Sequence, residues 1–349
     1  MHPTHEDVTA STIQDMPSET QSGFEVGVDD QSSITVIIAA YNAGPYLAEA
    51  LESLLHQTLP ATEIIVVDDG STDNTPEILD AYRCRVRTIR QPNAGYCAAR
   101  NRAIADATGR YVTFLDADDI SAPDRLERQL AALKGASNAI ACFTGNWTFE
   151  GNRRLRENLA ATPAVDADPL DFLSRCMFHG ASVMFDRSRA EGIRFPDDIN
   201  SIGADIIFSA LLATRGPMVA VPEALYGYRL HPGQKSIKGH ANSKSNWFFQ
   251  YRYEWAKAHW QEHWPERGWA AVESKLWEGL VGNTEDSYWA RNKQFFLNDR
   301  GYLRRNWPSH LPRPAVLEWA WYPDWLWKTK DRFDRWTGRP HRAPVNPAR

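Results

Sequence analysis

An α/β fold, with a mainly parallel sheet flanked by helices, is predicted by three features of the sequence. Short β-branched runs alternate with apolar residues at helical spacing from Ile34 to about Leu133. The connections between them are short, as right-handed crossovers allow. Thirteen of the 14 tryptophans then fall between Trp247 and Trp336, which adds a Trp-rich helical carboxy-terminal extension.

Residues 1–32 are polar and lack a hydrophobic period, so a disordered leader is expected there. Ile34 to Ala40 reads as a strand buried on both faces. Pro45 suits a helix start, and Leu47, Ala50, Leu51, Leu54 and Leu55 follow on one stripe. Glu63 to Val67 is the second strand; Thr75 and Pro76 open the next helix. Arg85 to Arg90 reads as strand, Tyr96 to Ala107 as helix and Tyr111 to Leu115 as strand. Ser121 and Pro123, with Leu126, Leu130 and Leu133, mark another helix. Trp255, Trp260 and Trp264 recur about one turn apart, as residues that pack helices do.

Composition narrows the function. With 43% apolar and 24% charged residues among 349, the chain matches an ordinary globular protein. No apolar run approaches a membrane span, and no basic-then-apolar export segment opens the chain, so a cytoplasmic protein is expected. The four cysteines lack any CxxC pair and read as reduced thiols. Net charge is −5, with −7 in residues 1–32 and +6 in residues 301–349. No basic face suited to nucleic acid is present. The sequence also lacks GxGxxG, GxxxxGK[ST], HExxH and GxSxG, which removes dinucleotide, P-loop, zinc-protease and serine-hydrolase readings.

Two strands end in acid: Asp68-Asp69, and Asp116 with Asp118 and Asp119. Ligands of open α/β sheets bind beyond the carboxyl ends of strands. Like charges gathered there call for a cation or for hydrogen-bond donors. Carboxylates two residues apart across a turn can offer oxygens to Mg²⁺ or Mn²⁺. Turns and helix caps also favour Asp, and the pattern alone leaves that alternative open.

The segments Val36 to Asn42, Val66 to Asp73, Ala94 to Asn101 and Phe114 to Asp119 occur in this order. Together they resemble the donor-binding half of the inverting family 2 glycosyltransferases, which have the GT-A fold. The resemblance implies a catalytic domain over 33–240, with a donor half at 33–135 and an acceptor half at 136–240, followed by the helical region 241–349. It implies that Ala39, Tyr41 and Asn42 line the nucleotide pocket and that Asp69 accepts from the base, as the N–H of uracil would suit. Arg100 would lie near the base or phosphates, Asp116 by the ribose or metal, and Asp118 on the divalent cation. A surface salt bridge for Arg100, and simple packing beside the strand for Tyr41, remain alternatives.

In the acceptor half, Gly203-Ala204-Asp205-Ile206 occupies the place of the family's acidic pair, so Asp205 matches the general base. Ala204 replaces the usual preceding Glu. Gly180-Ala181-Ser182 resembles the small-residue stretch near the acceptor. Tyr228-Arg229-Leu230-His231 resembles a Tyr-Arg-x-His element, in which His231 would complete the metal shell or touch the diphosphate. A helix cap for Asp205 and an ordinary surface histidine for His231 are the bland alternatives. The implied reaction is metal-assisted single displacement with inversion, from a nucleotide sugar to a hydroxyl of a glycan or lipid-linked acceptor. Two rivals remain: an inactive nucleotide-sugar-binding relative, suggested by Ala204, and a phosphohydrolase, suggested by the Asp116-Ala117-Asp118-Asp119-Ile120 string. Finally, Trp319, Trp321, Trp325 and Trp327 beside Lys328, Lys330, Arg332 and Arg335 would suit a peripheral membrane contact, unless they pack on the catalytic domain.

Overall fold

The computed structural model describes residues 32–160, 168–174, 178–198, 203–234 and 247–278. The expected leader and the Trp319–Arg335 segment lie outside these residues. The elements run β1 (Ile34–Ala40), α1 (Leu47–Leu55), β2 (Glu63–Asp68), α2 (Thr75–Ala81), β3 (Arg87–Arg90), α3 (Tyr96–Asp106), β4 (Tyr111–Phe114) and β5 (Ile120–Ser121). After these come α4 (Arg125–Gly135), β6 (Ala141–Glu150), β7 (Arg153–Asn158), α5 (Pro169–Ser174), a 3₁₀ turn (Gly180–Ser182), β8 (Met184–Asp186), α6 (Ala204–Ala213), β9 (Met218–Arg229) and α7 (Trp247–His263). Residues 269–278 form a further helix.

One sheet holds the nine strands in the order β3-β2-β1-β4-β8-β6-β9-β5, with β7 on the free part of the β6 edge. The half β3-β2-β1-β4 is parallel throughout. Beyond it the sheet is mixed, since β8 is antiparallel to β4 and β6 while β9 is parallel to β6. β1 sits at the centre, with six of its seven residues buried, which explains its unbroken apolar run. The stripe Leu47, Ala50, Leu51 and Leu54 buries α1 in the common core.

Two boundaries differ from the periodicity, each for a local reason. The strand expected at Arg85 starts at Arg87, because Arg85 and Val86 donate backbone bonds to Tyr82 and so close the turn after α2. The helix signalled at Ser121 starts at Arg125, because Ile120 and Ser121 pair with Gly227 and Tyr226 of β9.

The tryptophan-rich helices share the core of the sheet. Trp255, Trp264 and Trp277 are buried in it with Val272 and Leu276. Arg252 donates to the carbonyl of Leu173 at 2.6 Å, Arg267 pairs with Asp168 at 2.6 Å and Lys275 with Asp171 at 2.9 Å, so three contacts fasten this region around α5. Among the described residues, no helix is long and apolar enough to cross a membrane.

Candidate active site

The carboxyl ends of β1, β2 and β4 form one rim. Ala39 is still within β1, paired in register with Val67, so it offers backbone. Tyr41, immediately beyond the strand, is 49% exposed, leaving its ring available to a flat ligand and not packed beside the strand. Asn42 adopts a positive φ of 50°. Its side-chain oxygen accepts from the backbone N–H groups of Thr72 (2.8 Å) and Asp73 (3.3 Å). Asn42 thus braces the loop after β2 as well as reaching the pocket rim. Asp69 accepts from Gln91 Nε2 (2.8 Å) and from the N–H groups of Ala94 (2.8 Å) and Gly95 (2.7 Å). Gly95 has φ 89°, a left-handed turn that directs its N–H at Asp69 and opens α3.

The loop after β4 concentrates the acidity. Arg100, buried on α3, meets Asp116 at 2.5 Å and lies about 5 Å from the rings of Tyr96, Phe114 and Phe195. It is an interior partner of Asp116, not a surface bridge. Burial works against its charge, but Asp116 together with Tyr96, Asp205 and Tyr226 outweighs that and raises its pKa. Asp118 Oδ2 lies 2.9 Å from His231 Nε2, so the two residues expected to share a cation are neighbours. Asp119 is fully buried and accepts from the Tyr226 hydroxyl (2.7 Å) and the Arg229 N–H (2.8 Å). Arg229 also donates to the Asp118 carbonyl (2.7 Å) and to Glu49 of α1 (2.6 Å), fixing the loop from behind. Burial, reinforced by the charge of Asp116, lifts the Asp118 carboxyl above the usual range. Burial, then the charges of Asp118 and Asp116, pushes Asp119 well above it.

Across the cleft, Asp205 lies in the first turn of α6. The cap position belongs to Gly203 at φ 110°, so Asp205 does not cap the helix. Gly180 packs face-on against it: a β-carbon at 180 would run into the Asp205 carboxylate. Between the two sides stands His179, its ring 4.5 Å from Tyr226 and 4.9 Å from Tyr228. Its Nδ1 is buried and has no hydrogen-bond partner. Burial holds the imidazole below its ordinary pKa against the opposing charges of Asp116 and Asp205. The ring lies close to the Asp116 and Asp119 carboxylates, and the adjacent Gly180 backs onto Asp205, so Asp205 and the acidic loop flank one spot.

Two donor sets could suit a divalent cation. Carboxylate oxygen with imidazole nitrogen fits Mn²⁺ or Mg²⁺ chemistry. Ligand atoms of Asp116, Asp119 and His179 lie within 4.8 Å of one another. In that set, however, both Asp119 oxygens and one Asp116 oxygen already accept protein donors. Asp118 and His231 engage only each other through their facing atoms, and the raised Asp118 pKa marks a charge short of compensation.

The sequence model of glycosyl transferase family 2 matches residues 35–193. The putative teichuronic acid biosynthesis glycosyltransferase TuaG of Bacillus subtilis (strain 168) is 33% identical over 220 residues, which cover 62% of this chain and 86% of TuaG. The chain belongs to glycosyltransferase family 2. The succinoglycan biosynthesis protein ExoO of Rhizobium meliloti (strain 1021) is 34% identical, over 60% of this chain and 64% of ExoO. The crystal structure of S. aureus TarS 1-349 in complex with UDP-GlcNAc superposes with a TM-score of 0.58 at 20% identity, covering 77% of this chain and 80% of that one. That likeness shows the GT-A fold. The protein is thus a glycosyltransferase.

In this family 2 glycosyltransferase, sequence reasoning missed three groups at the site: His179, Tyr226 and Arg125. Arg125 is wholly buried below Tyr226, 5.3 Å from its ring, and donates to Gln129, Thr113 and the Phe114 carbonyl. Burial pushes its pKa down to about 10, so it stays charged and faces the acidic loop from beneath. Its signal was available: Arg125 and Gln129 fall four apart on the apolar stripe of α4, and such a polar pair on a buried face has a partner to serve.

Proposed function

We propose that this glycosyltransferase moves a sugar from a UDP-linked donor to a hydroxyl of a glycan or lipid-linked saccharide, with inversion, Asp205 acting as general base. One observation carries the reading: His179 meets the acidic loop while the adjacent Gly180 backs onto the Asp205 carboxylate. The TarS structures, with UDP and with UDP-GlcNAc, support a uridine donor. Three protein donors hold Asp69 in place; a carboxylate has roughly four acceptor positions, so one remains for a base N–H. Tyr41 supplies an exposed ring on the same rim for the nucleotide.

A hydroxyl attacks well only as its proton leaves, and a carboxylate fixed at hydrogen-bond distance accepts that proton in the transition state. Gly180 gives the Asp205 carboxylate a flat backbone wall, which limits where it can point. The diphosphate then departs from the anomeric carbon opposite the incoming oxygen, and no enzyme-bound sugar is formed. Asp118 and His231 would hold the divalent cation, whose charge neutralises the leaving phosphates. Asp116, itself held by Arg100, borders the ribose side.

Calorimetry of UDP-GlcNAc with the full chain, with Mn²⁺ or with EDTA, tests this reading together with Asp205→Asn. The wild type should bind only when the cation is present. Asp205→Asn should bind the donor equally well yet turn over at least about 10²-fold more slowly. Donor binding indifferent to the cation would remove the metal role, and near-normal turnover of Asp205→Asn would remove the base assignment.

A further inference from the structure

The sheet face that carries Tyr226 and Tyr228 continues past the site. Residues paired directly across strands project to the same side. Tyr228 pairs with Thr148 and Thr148 with Arg156; Tyr226 pairs with Asn146 and Asn146 with Asn158. Both tyrosine rings touch His179, which identifies this side as the one beside Asp205. Asn146, Thr148 and Asn158 are half-buried, and Arg156 is exposed. Two strand spacings, each about 4.8 Å, separate the Arg156 backbone from that of Tyr228.

A β-bulge aims Arg156. The register slips between Thr148 and Phe149, so that Arg154 pairs with Phe149 while Arg156 pairs with Thr148. Without the slip, Arg154 and Arg156, two apart, would share a face. With it, Arg154 turns to the far side and lies 4.7 Å over the Trp147 ring. The neighbouring cations are occupied, Arg153 with Glu150 (3.7 Å) and Arg154 with Glu157 (3.5 Å). Among the described residues, no carboxylate lies within ion-pair distance of Arg156.

We propose that this strip binds the acceptor, and that the acceptor is an acidic glycan whose anionic group is held by Arg156. The proposal rests on the glycosyltransferase reading with Asp205 as base, because the strip leads outward from His179 at that base. Amide and hydroxyl groups at strand spacing match the hydroxyls of successive sugar units. An unpaired guanidinium at the outer end matches a carboxylate or a phosphate, with which it forms paired, charge-assisted hydrogen bonds.

The test is calorimetry of the full chain with three probes: a glucuronate-containing hyaluronan tetrasaccharide, a glycerol-phosphate oligomer and neutral maltotetraose. At least one anionic probe should bind more tightly than maltotetraose, and which one binds separates a uronic carboxylate from a phosphate. Arg156→Glu should weaken that binding about tenfold or more, the scale of one charge-assisted contact, while Arg156→Lys weakens it less. Arg154→Glu, the same charge change on the far face of the sheet, should leave it unaltered. The proposal is overturned if neither anionic probe binds, if maltotetraose binds as well as they do, or if Arg154→Glu weakens binding as much as Arg156→Glu. UDP titrated in parallel into the wild type reports the underlying reading: UDP bound without any acidic probe leaves a glycosyltransferase with a neutral acceptor, whereas no UDP binding removes the reading itself.

Discussion

Asp205 and Gly180 show how two unlike residues make one working group. In the proposed reaction the carboxylate takes the proton, and the missing side chain opposite it sets the position. Gly180→Ala places a methyl group where the Asp205 oxygen now sits, so the carboxylate must swing away. A displacement near 1 Å at a reacting group costs on the order of 10²-fold in rate. Gly180→Ala should therefore lower turnover by about that factor, with overpacking reducing stability by about 1–3 kcal/mol and UDP affinity unchanged. Steady-state kinetics with a donor titration checks this; full turnover would mean that Asp205 is not the base. Sequence could reach Asp205, Asp118 and His231, because their motifs are local and their partners lie on strand or helix ends. His179 was out of its reach for the opposite reason. A histidine before a small-residue stretch takes its meaning from residues distant in sequence, such as Tyr226, 47 positions on.

Strands β1 and β2 depend on a polar clamp at the end of the sheet away from the site. Glu63, first residue of β2, accepts from Thr35 Oγ1 (2.8 Å) and from the Thr108 N–H and hydroxyl (both 3.0 Å), tying β1 to the turn before β4. Burial alone would raise its pKa, but the donors Thr108 and Thr35, with Arg87, outweigh burial and hold it below 4.5. A carboxyl depressed on folding contributes stability that is present above its unfolded value and lost as pH falls through the folded value. Glu63→Gln keeps the shape and removes the charge. It should melt lower than wild type at pH 7, by about 1.5–3 kcal/mol, the range for hydrogen bonds to a charged group. The gap should close as pH drops below about 4.5, because the wild-type carboxyl then also loses its charge. Thermal melts across pH 3–7 report this, and a gap that widens in acid would contradict it. The strands and helices of this parallel half were legible because each is buried on a regular period. The mixed half was less so: β5 has two residues, β8 three, and β7 is exposed along nearly its whole length. No hydrophobic period can accumulate over such segments, so their pairing comes from tertiary context.

Over the whole molecule, the question is whether the tryptophan-bearing helices are an appendage or part of the catalytic fold's core. Trp277 is 1% exposed and belongs to the same buried cluster as Ile37 of β1 and Phe208 of α6. Tyr253 of α7 donates to Glu273, so the two terminal helices described are also fastened to each other. Both α5 and α7 contact α6, which carries Asp205. A shared core unfolds as one unit, because neither part keeps its buried surface without the other. Trp277→Ala removes a large ring from that core and should destabilise the whole protein by about 3–5 kcal/mol. Far-UV circular dichroism and a UDP-induced shift in melting, followed on the same samples, should then move together in a single transition. If Trp277→Ala instead produced an early transition that left the UDP-stabilised melt in place, the helices from Trp247 onward would be a separate unit, and Asp205 would owe them nothing.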